Sequence, residues 1–108
     1  MNRNRQANAS PFVVVSTPHM HDMAARCCAH IKETHGVTFP HHRVEYKMFA
    51  SGEVLPLIPE TVRRQHVFLF HALQHPTPND ALMRLLILND ALARASVHGI
   101  TLVTPFMS

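Results

Sequence analysis

Several common handles are missing from this chain. It has only two cysteines, and they are adjacent at Cys27 and Cys28. That spacing offers no disulfide framework and predicts a reducing setting, the cytoplasm. No apolar run approaches the roughly 20 residues of a membrane-spanning helix, so no membrane partner is expected. The opening residues carry arginines without a hydrophobic stretch behind them, unlike a secretory signal. Lysine and arginine nowhere gather into a run. A formal net charge of +3 over 108 residues suits phosphate-bearing ligands but lacks the dense basic patch of a nucleic-acid binder. There is no internal repeat and no low-complexity segment.

Hydrophobic residues make up 46% of the chain, enough for a packed core. A chain this short buries a modest share of its surface, which favours support from a partner chain. Residues 1–11 are polar, show no apolar pattern and are expected to form a mobile tail. Phe12–Ser16 is a continuous β-branched run, as in a strand buried on both faces of a parallel sheet. His21–His35 reads as a helix closed by Gly36, with Met23, Cys27 and His30 or Ile31 on its apolar stripe. In His42–Phe49, Val44, Tyr46 and Met48 alternate with polar residues, which predicts one half-exposed strand. A turn at Ala50–Gly52 and an extended Val54–Ile58 would complete a hairpin, with Pro56 and Pro59 confining its second strand to an edge.

The most strongly patterned stretch is Pro76–Ser96, set between the apolar strands His66–His71 and Ile100–Pro105. Thr77 reads as its N-cap, Pro78 as its first helical residue, and Asp80 sits three residues after the cap. The helix is expected to reach about Val97 and to end at Gly99. Leu82, Leu85, Leu86 and Leu92 are assigned to the sheet, Met83, Ile87 and Ala91 to another side. That apolar surface is wider than one sheet contact needs and implies a second buried contact. Strand–helix alternation of this kind predicts an α/β fold: a parallel sheet flanked by helices, with a β-hairpin excursion.

These residues resemble the N-terminal domain of ribose-phosphate pyrophosphokinases. The match rests on Phe49-Ala50-Ser51-Gly52-Glu53, on Val62-Arg63 before the strand Val67–Phe70, on Asn79-Asp80-x-Leu82-Met83 with Asp90-Ala91-Leu92-x-Arg94-Ala95-Ser96, and on Ile100–Phe106. Residues 12–108 would then be an incomplete N-terminal domain with a phosphoribosyltransferase-like fold. The resemblance implies an enzyme that transfers pyrophosphate from ATP to ribose 5-phosphate, with Mg²⁺ in the full-length protein, and a homo-oligomer. It implies ATP contacts at Phe49, Ser51 and Glu53, and an allosteric phosphate site at Thr61, Arg63 and Ser96. Ser51 stands where the family has Asp or Asn, Arg64 where it has Gly, and Arg84 where it has Glu. The family's later ATP, metal and phosphoribosyl loops are not found in these 108 residues. No catalytic residue is therefore assigned, and the chain alone is expected to be inactive. The alternative is a non-catalytic homologue that assembles with synthetase subunits.

Bland roles compete at several positions. Asn79 and Asp80 suit helix capping better than ligation. Asp90 and Arg94 have the i, i+4 spacing of a helix ion pair. Ten histidines invite a metal reading, but Cys27 and His30 supply two ligands and no second pair stands out. No metal site is expected within the chain.

Overall fold

The computed structural model describes residues 11–51, 54–58, 62–74 and 77–104. Of the expected tail at residues 1–11, residues 1–10 lie outside them. A four-stranded parallel sheet carries the molecule. In chain order the elements are β1 (Phe12–Ser16), α1 (His21–His35), β2 (His41–Arg43), β3 (Tyr46–Met48), β4 (Val54–Pro56), β5 (His66–Phe70), α2 (Pro78–Arg94) and β6 (Gly99–Val103). Strand order across the main sheet is β2-β1-β5-β6, and β3 and β4 form a separate antiparallel pair. β1 and β5 sit at the centre, in register from Phe12 with His66 to Ser16 with Phe70.

The two central strands are continuous apolar runs because both sheet faces are covered. Val13 and Val15 of β1 and Val67 and Leu69 of β5 meet Leu88 and Leu92 of α2 on one face. Val14 and Phe70 meet Met20 and Ala24 on the other, where α1 packs. Successive strand residues alternate sides, so a β-branched run feeds two cores at once.

The start of α2 and the stop of α1 follow local chemistry. Thr77 caps α2 by accepting the Asp80 backbone N–H at 3.2 Å, and Pro78 occupies the first turn. Gly36 ends α1 at φ 71°, in the left-handed region where glycine carries no Cβ penalty, and its N–H donates to the Lys32 carbonyl. Asp90 and Arg94 pair at 3.0 Å on the solvent side of α2.

Three expectations are corrected. First, residues 42–49 are not one strand. His41–Arg43 pairs in parallel with β1, from His41 beside Val14 to Arg43 beside Ser16, and only Tyr46–Met48 pairs with β4. The break falls at Val44, which is buried in the α2-side core and donates its N–H to the Ser16 carbonyl at 2.8 Å. Second, α2 ends at Arg94 rather than near Val97, and Gly99 opens β6 instead of closing the helix. The helix stops because the next residues bond to the loop before β5. The Ser96 carbonyl accepts from Arg64 N–H at 2.8 Å, and His98 N–H donates to the Gln65 carbonyl at 2.7 Å. Gly99 is needed for space, since a Cβ there would lie 2.9 Å from His66 Nδ1. Third, the helix faces are rotated. Ala81, Leu88 and Leu92 of α2 are buried, while Leu82, Met83 and Leu86 are more than half exposed. On α1 the buried residue is Ala24, Cys28 packs beside it, and Cys27 is exposed.

Candidate functional site

The loops at the carboxyl ends of parallel strands are where open α/β sheets bind ligands. Here β1 ends at Ser16-Thr17 and β5 at Phe70-His71, and Ser16, Thr17 and His71 are all buried. Thr17 ties the two ends together, since its N–H and its hydroxyl both donate to the Phe70 carbonyl at 3.1 Å. The hairpin leaves the body beside this edge. Its root is held twice, by Glu45 to His21 at 3.0 Å and by the Tyr46 hydroxyl to His71 Nε2 at 3.2 Å.

The tautomer of His71 follows from its partners. Nδ1 lies 2.7 Å from the Ala72 carbonyl, which can only accept, so Nδ1 carries the proton and Nε2 accepts from Tyr46. Burial pushes His71 below the usual imidazole range. The bond to the Ala72 carbonyl opposes that shift, and the nearby Arg84 guanidinium adds to it. Burial likewise pushes the Tyr46 phenol up to about 12, against a smaller downward pull from Arg84. Arg84, standing where the family has Glu, lies 5.3 Å from the centre of the Tyr46 ring. The departure from the family pattern thus has a packing partner, a cation over an aromatic face.

The sequence-derived site residues fall into two groups. At the hairpin tip, Phe49 is 42% exposed, Ser51 is exposed in the turn, and Lys47 Nζ lies 5.3 Å from the Phe49 ring centre. A solvent-facing ring with an ammonium beside it can stack on a planar base and hold phosphate-bearing charge close by. Glu53 lies outside the described residues. In the second group, Arg63 is exposed in the turn before β5. The Arg64–Ser96 bond brings that turn against the C-terminus of α2, so Arg63 and Ser96 belong to neighbouring loops. Thr61 lies outside the described residues.

Arg64 and Ser96 both adopt φ 64°, a left-handed conformation that penalises residues with a Cβ. The family's glycine at the position of Arg64 has this backbone explanation. Replacing Arg64 with Gly is expected to raise stability by about 1 kcal/mol, the strain relieved less the entropy added to the unfolded chain. A urea midpoint moved upward checks it, and a lower midpoint would assign Arg64 a side-chain role.

The sequence reading missed a cluster of Ser16, His21, His41 and Glu45. Its members are spread over 30 positions and meet only through the parallel pairing of β1 with β2. Its one advance signal in the sequence is the abundance of histidine. Among the described residues no group of three or more His, Cys, Asp or Glu is placed to hold a metal ion.

The sheet order, the covered faces and the strand-end loops define a phosphoribosyltransferase-type α/β unit. Hypoxanthine phosphoribosyltransferase from Trypanosoma cruzi superposes with a TM-score of 0.66 at 15% identity, over 92% of this chain and 56% of that one. The hypoxanthine-guanine phosphoribosyltransferase of L. donovani gives 0.57 at 12%, over 95% and 58%. At such identities the likeness is one of fold. Sequence narrows it further. The family model for the N-terminal domain of ribose phosphate pyrophosphokinase matches residues 12–108. The ribose-phosphate pyrophosphokinase of Mycoplasma pneumoniae is 37% identical over 94 residues, 87% of this chain and 26% of that protein. That of Mycoplasmopsis pulmonis is 34% identical over 99 residues, 92% of this chain and 29% of that protein. The chain belongs to the N-terminal domain family of ribose-phosphate pyrophosphokinases, which are transferases, and spans under a third of the length of these two relatives.

Proposed function

We propose that this chain is the N-terminal part of an enzyme making phosphoribosyl pyrophosphate, with ATP and ribose 5-phosphate as substrates. In that reaction the C1 hydroxyl of the sugar attacks the β-phosphorus of ATP and AMP leaves. The chain's share is nucleotide positioning by the hairpin. Phe49 packs on the adenine, Ser51 takes the place of the family's Asp or Asn contact, and Glu53 accepts from the adenine amino group. The observation that carries this reading is an exposed Phe49 at the tip of a hairpin whose motif matches the family. Mg²⁺ would arrive with the nucleotide phosphates and residues outside this chain. Thr61, Arg63 and Ser96 form a phosphate effector site, an assignment supported for Arg63 and Ser96 by the Arg64–Ser96 bond that joins their loops.

A homo-oligomer is part of the proposal. The hairpin projects Met48, Phe49, Leu55 and Leu57 into solvent, and α2 exposes Leu82, Met83 and Leu86. A neighbouring subunit that receives the hairpin would cover such surface. Among the described residues no helix is long and apolar enough to cross a membrane, and the cytoplasm is the proposed compartment.

A chimera tests the reading. Residues 12–108 replace the matching segment of the Mycoplasma pneumoniae enzyme. The chimera is expected to form phosphoribosyl pyrophosphate. Phe49→Ala in it should raise the KM for ATP about tenfold with little change in kcat, the loss of one stacked base. An active chimera whose ATP KM ignores Phe49 sinks the hairpin assignment. A folded but inactive chimera favours the non-catalytic homologue.

A further inference from the structure

The cluster at the end of β1 has a hydrogen-bond count that fixes its behaviour. Ser16 Oγ lies 2.7 Å from His21 Nδ1 and 2.7 Å from His41 Nε2. His21 Nε2 lies 3.0 Å from a Glu45 carboxylate oxygen. A hydroxyl has one proton to give, so one of the two imidazole nitrogens must accept from Ser16 and the other must donate to it. Glu45 can only accept, which puts a proton on His21 Nε2. Neutral His21 then offers Nδ1 as acceptor. The order is His41 Nε2–H to Ser16, Ser16 O–H to His21, and His21 Nε2–H to Glu45.

One additional proton fits. With His21 charged, its Nδ1–H donates to Ser16, Ser16 donates to His41 Nε2, and the proton of His41 sits on Nδ1. Every bond survives: the two at Ser16 reverse direction, and His21 Nε2–H still donates to Glu45. A second additional proton does not fit. Both imidazoles would then only donate, the buried Ser16 hydroxyl would have no acceptor in the cluster, and two cations would face each other across one oxygen.

The surroundings do not rescue that state. Arg43 and His42 on β2 add positive charge beside His41. Among the described residues Glu45 is the one carboxylate bonded to the cluster, and Asp22 on α1 is engaged with Arg26 at 3.4 Å. Burial already holds His41 below the usual imidazole range, and Arg43, His21 and His42 push it the same way in that order.

We propose that Ser16, His21, His41 and Glu45 form a pH-sensitive latch. It seats the β3–β4 hairpin on the carboxyl end of β1 while the two imidazoles carry at most one extra proton, and it releases the hairpin when both are charged. The hairpin is the element that moves because Glu45 is its root. Glu45 accepts the Leu57 N–H at 3.0 Å, and the residue before it, Val44, is bonded to the Ser16 carbonyl. The latch concerns the geometry of the hairpin and stands whether or not Phe49 meets a nucleotide.

The fold favours neutral His41. The seated state is therefore fully stable above the free imidazole value of about 6.5 and loses stability as pH falls below it.

Amide hydrogen exchange on the full chain, corrected for intrinsic rates, tests the latch. Protection of Val44 and Leu57 is expected to fall by up to about tenfold per pH unit below roughly pH 6.5, the limit for a one-proton release. Protection in β5 should hold over the same range. His41→Gln places an amide nitrogen near the position of Nε2 and does not titrate, so it should abolish most of the acid response. Unchanged hairpin protection down to about pH 5 in the wild type would overturn the latch. So would a full wild-type acid response in H41Q, which would assign the response to His71, the other tether. Should H41Q not fold, the imidazole ¹⁵N titration of the wild type decides. Coupled His21 and His41 steps, with hairpin loss on the second, support the latch, and independent steps refute it.

Discussion

Replacing Leu88 with alanine is expected to destabilise the chain by roughly 3 kcal/mol, within the usual cost of emptying a leucine site in a rigid core. Leu88 is fully buried and packs with Val13, Val15, Val67 and Leu69 on the side of the sheet that α2 covers. For a domain of this size such a loss lowers the melting temperature by roughly 15 °C, a large part of a marginal stability. Leu86, two residues earlier, is the control. It is more than half exposed, so Leu86→Ala should change stability by no more than about 0.5 kcal/mol in the monomer. Urea unfolding of both variants at low protein concentration checks the pair. Equal losses at the two positions would mean that α2 is turned about its axis relative to the structure.

That pair also marks where the sequence stops being informative. The apolar surface of α2 runs most of the way round, so periodicity could announce the helix and its surplus face without choosing which leucines meet the sheet. The choice follows from the entry geometry at Thr77 and Pro78 and from Ala81, a residue small enough to let the first turn approach. The central strands were plain in advance because a β-branched run can satisfy only a two-sided burial. Edge strand β2 was not, because His41–Arg43 is three polar or titratable residues with no pattern of its own, and its pairing depends on a partner 27 positions earlier. The end of α2 was misjudged for a similar reason. The bonds that stop it come from residues 64 and 65, about 30 positions away in sequence, and no local propensity carries that information.

The candidate site divides along the same line. Phe49 and Ser51 came from one motif and Arg63 from another, each contiguous in sequence, and the structure sets Phe49 and Ser51 at an exposed turn and Arg63 beside the loop of Ser96. The polar network at the carboxyl end of β1 joins side chains drawn from β1, α1, β2 and the hairpin root. Each of those residues alone looks like an ordinary surface Ser, His or Glu. Only the strand order β2-β1-β5 makes them neighbours.

Tyr46 joins the hairpin to the body through both its ring and its hydroxyl, and Tyr46→Ala is expected to cost roughly 3 kcal/mol. It removes a half-buried ring, the cation–π contact with Arg84 and the hydroxyl bonded to His71. Tyr46→Phe isolates the last of these. It leaves His71 Nε2, on a side chain that is 3% exposed, without its donor, for about 1–2 kcal/mol. The phenol also predicts an alkaline limb. Its value of about 12 in the folded chain lies above the free tyrosine value of about 10, so the fold favours the neutral form. The contribution is complete below about pH 10 and is lost as pH rises through about 12; solvent at the half-buried ring limits it to roughly 1 kcal/mol. Stability measured by urea between about pH 9 and 11.5 should therefore decline more steeply in the wild type than in Tyr46→Phe, which has no phenol to ionise. Parallel curves would show that the hydroxyl is already solvated and that packing alone holds the hairpin to His71.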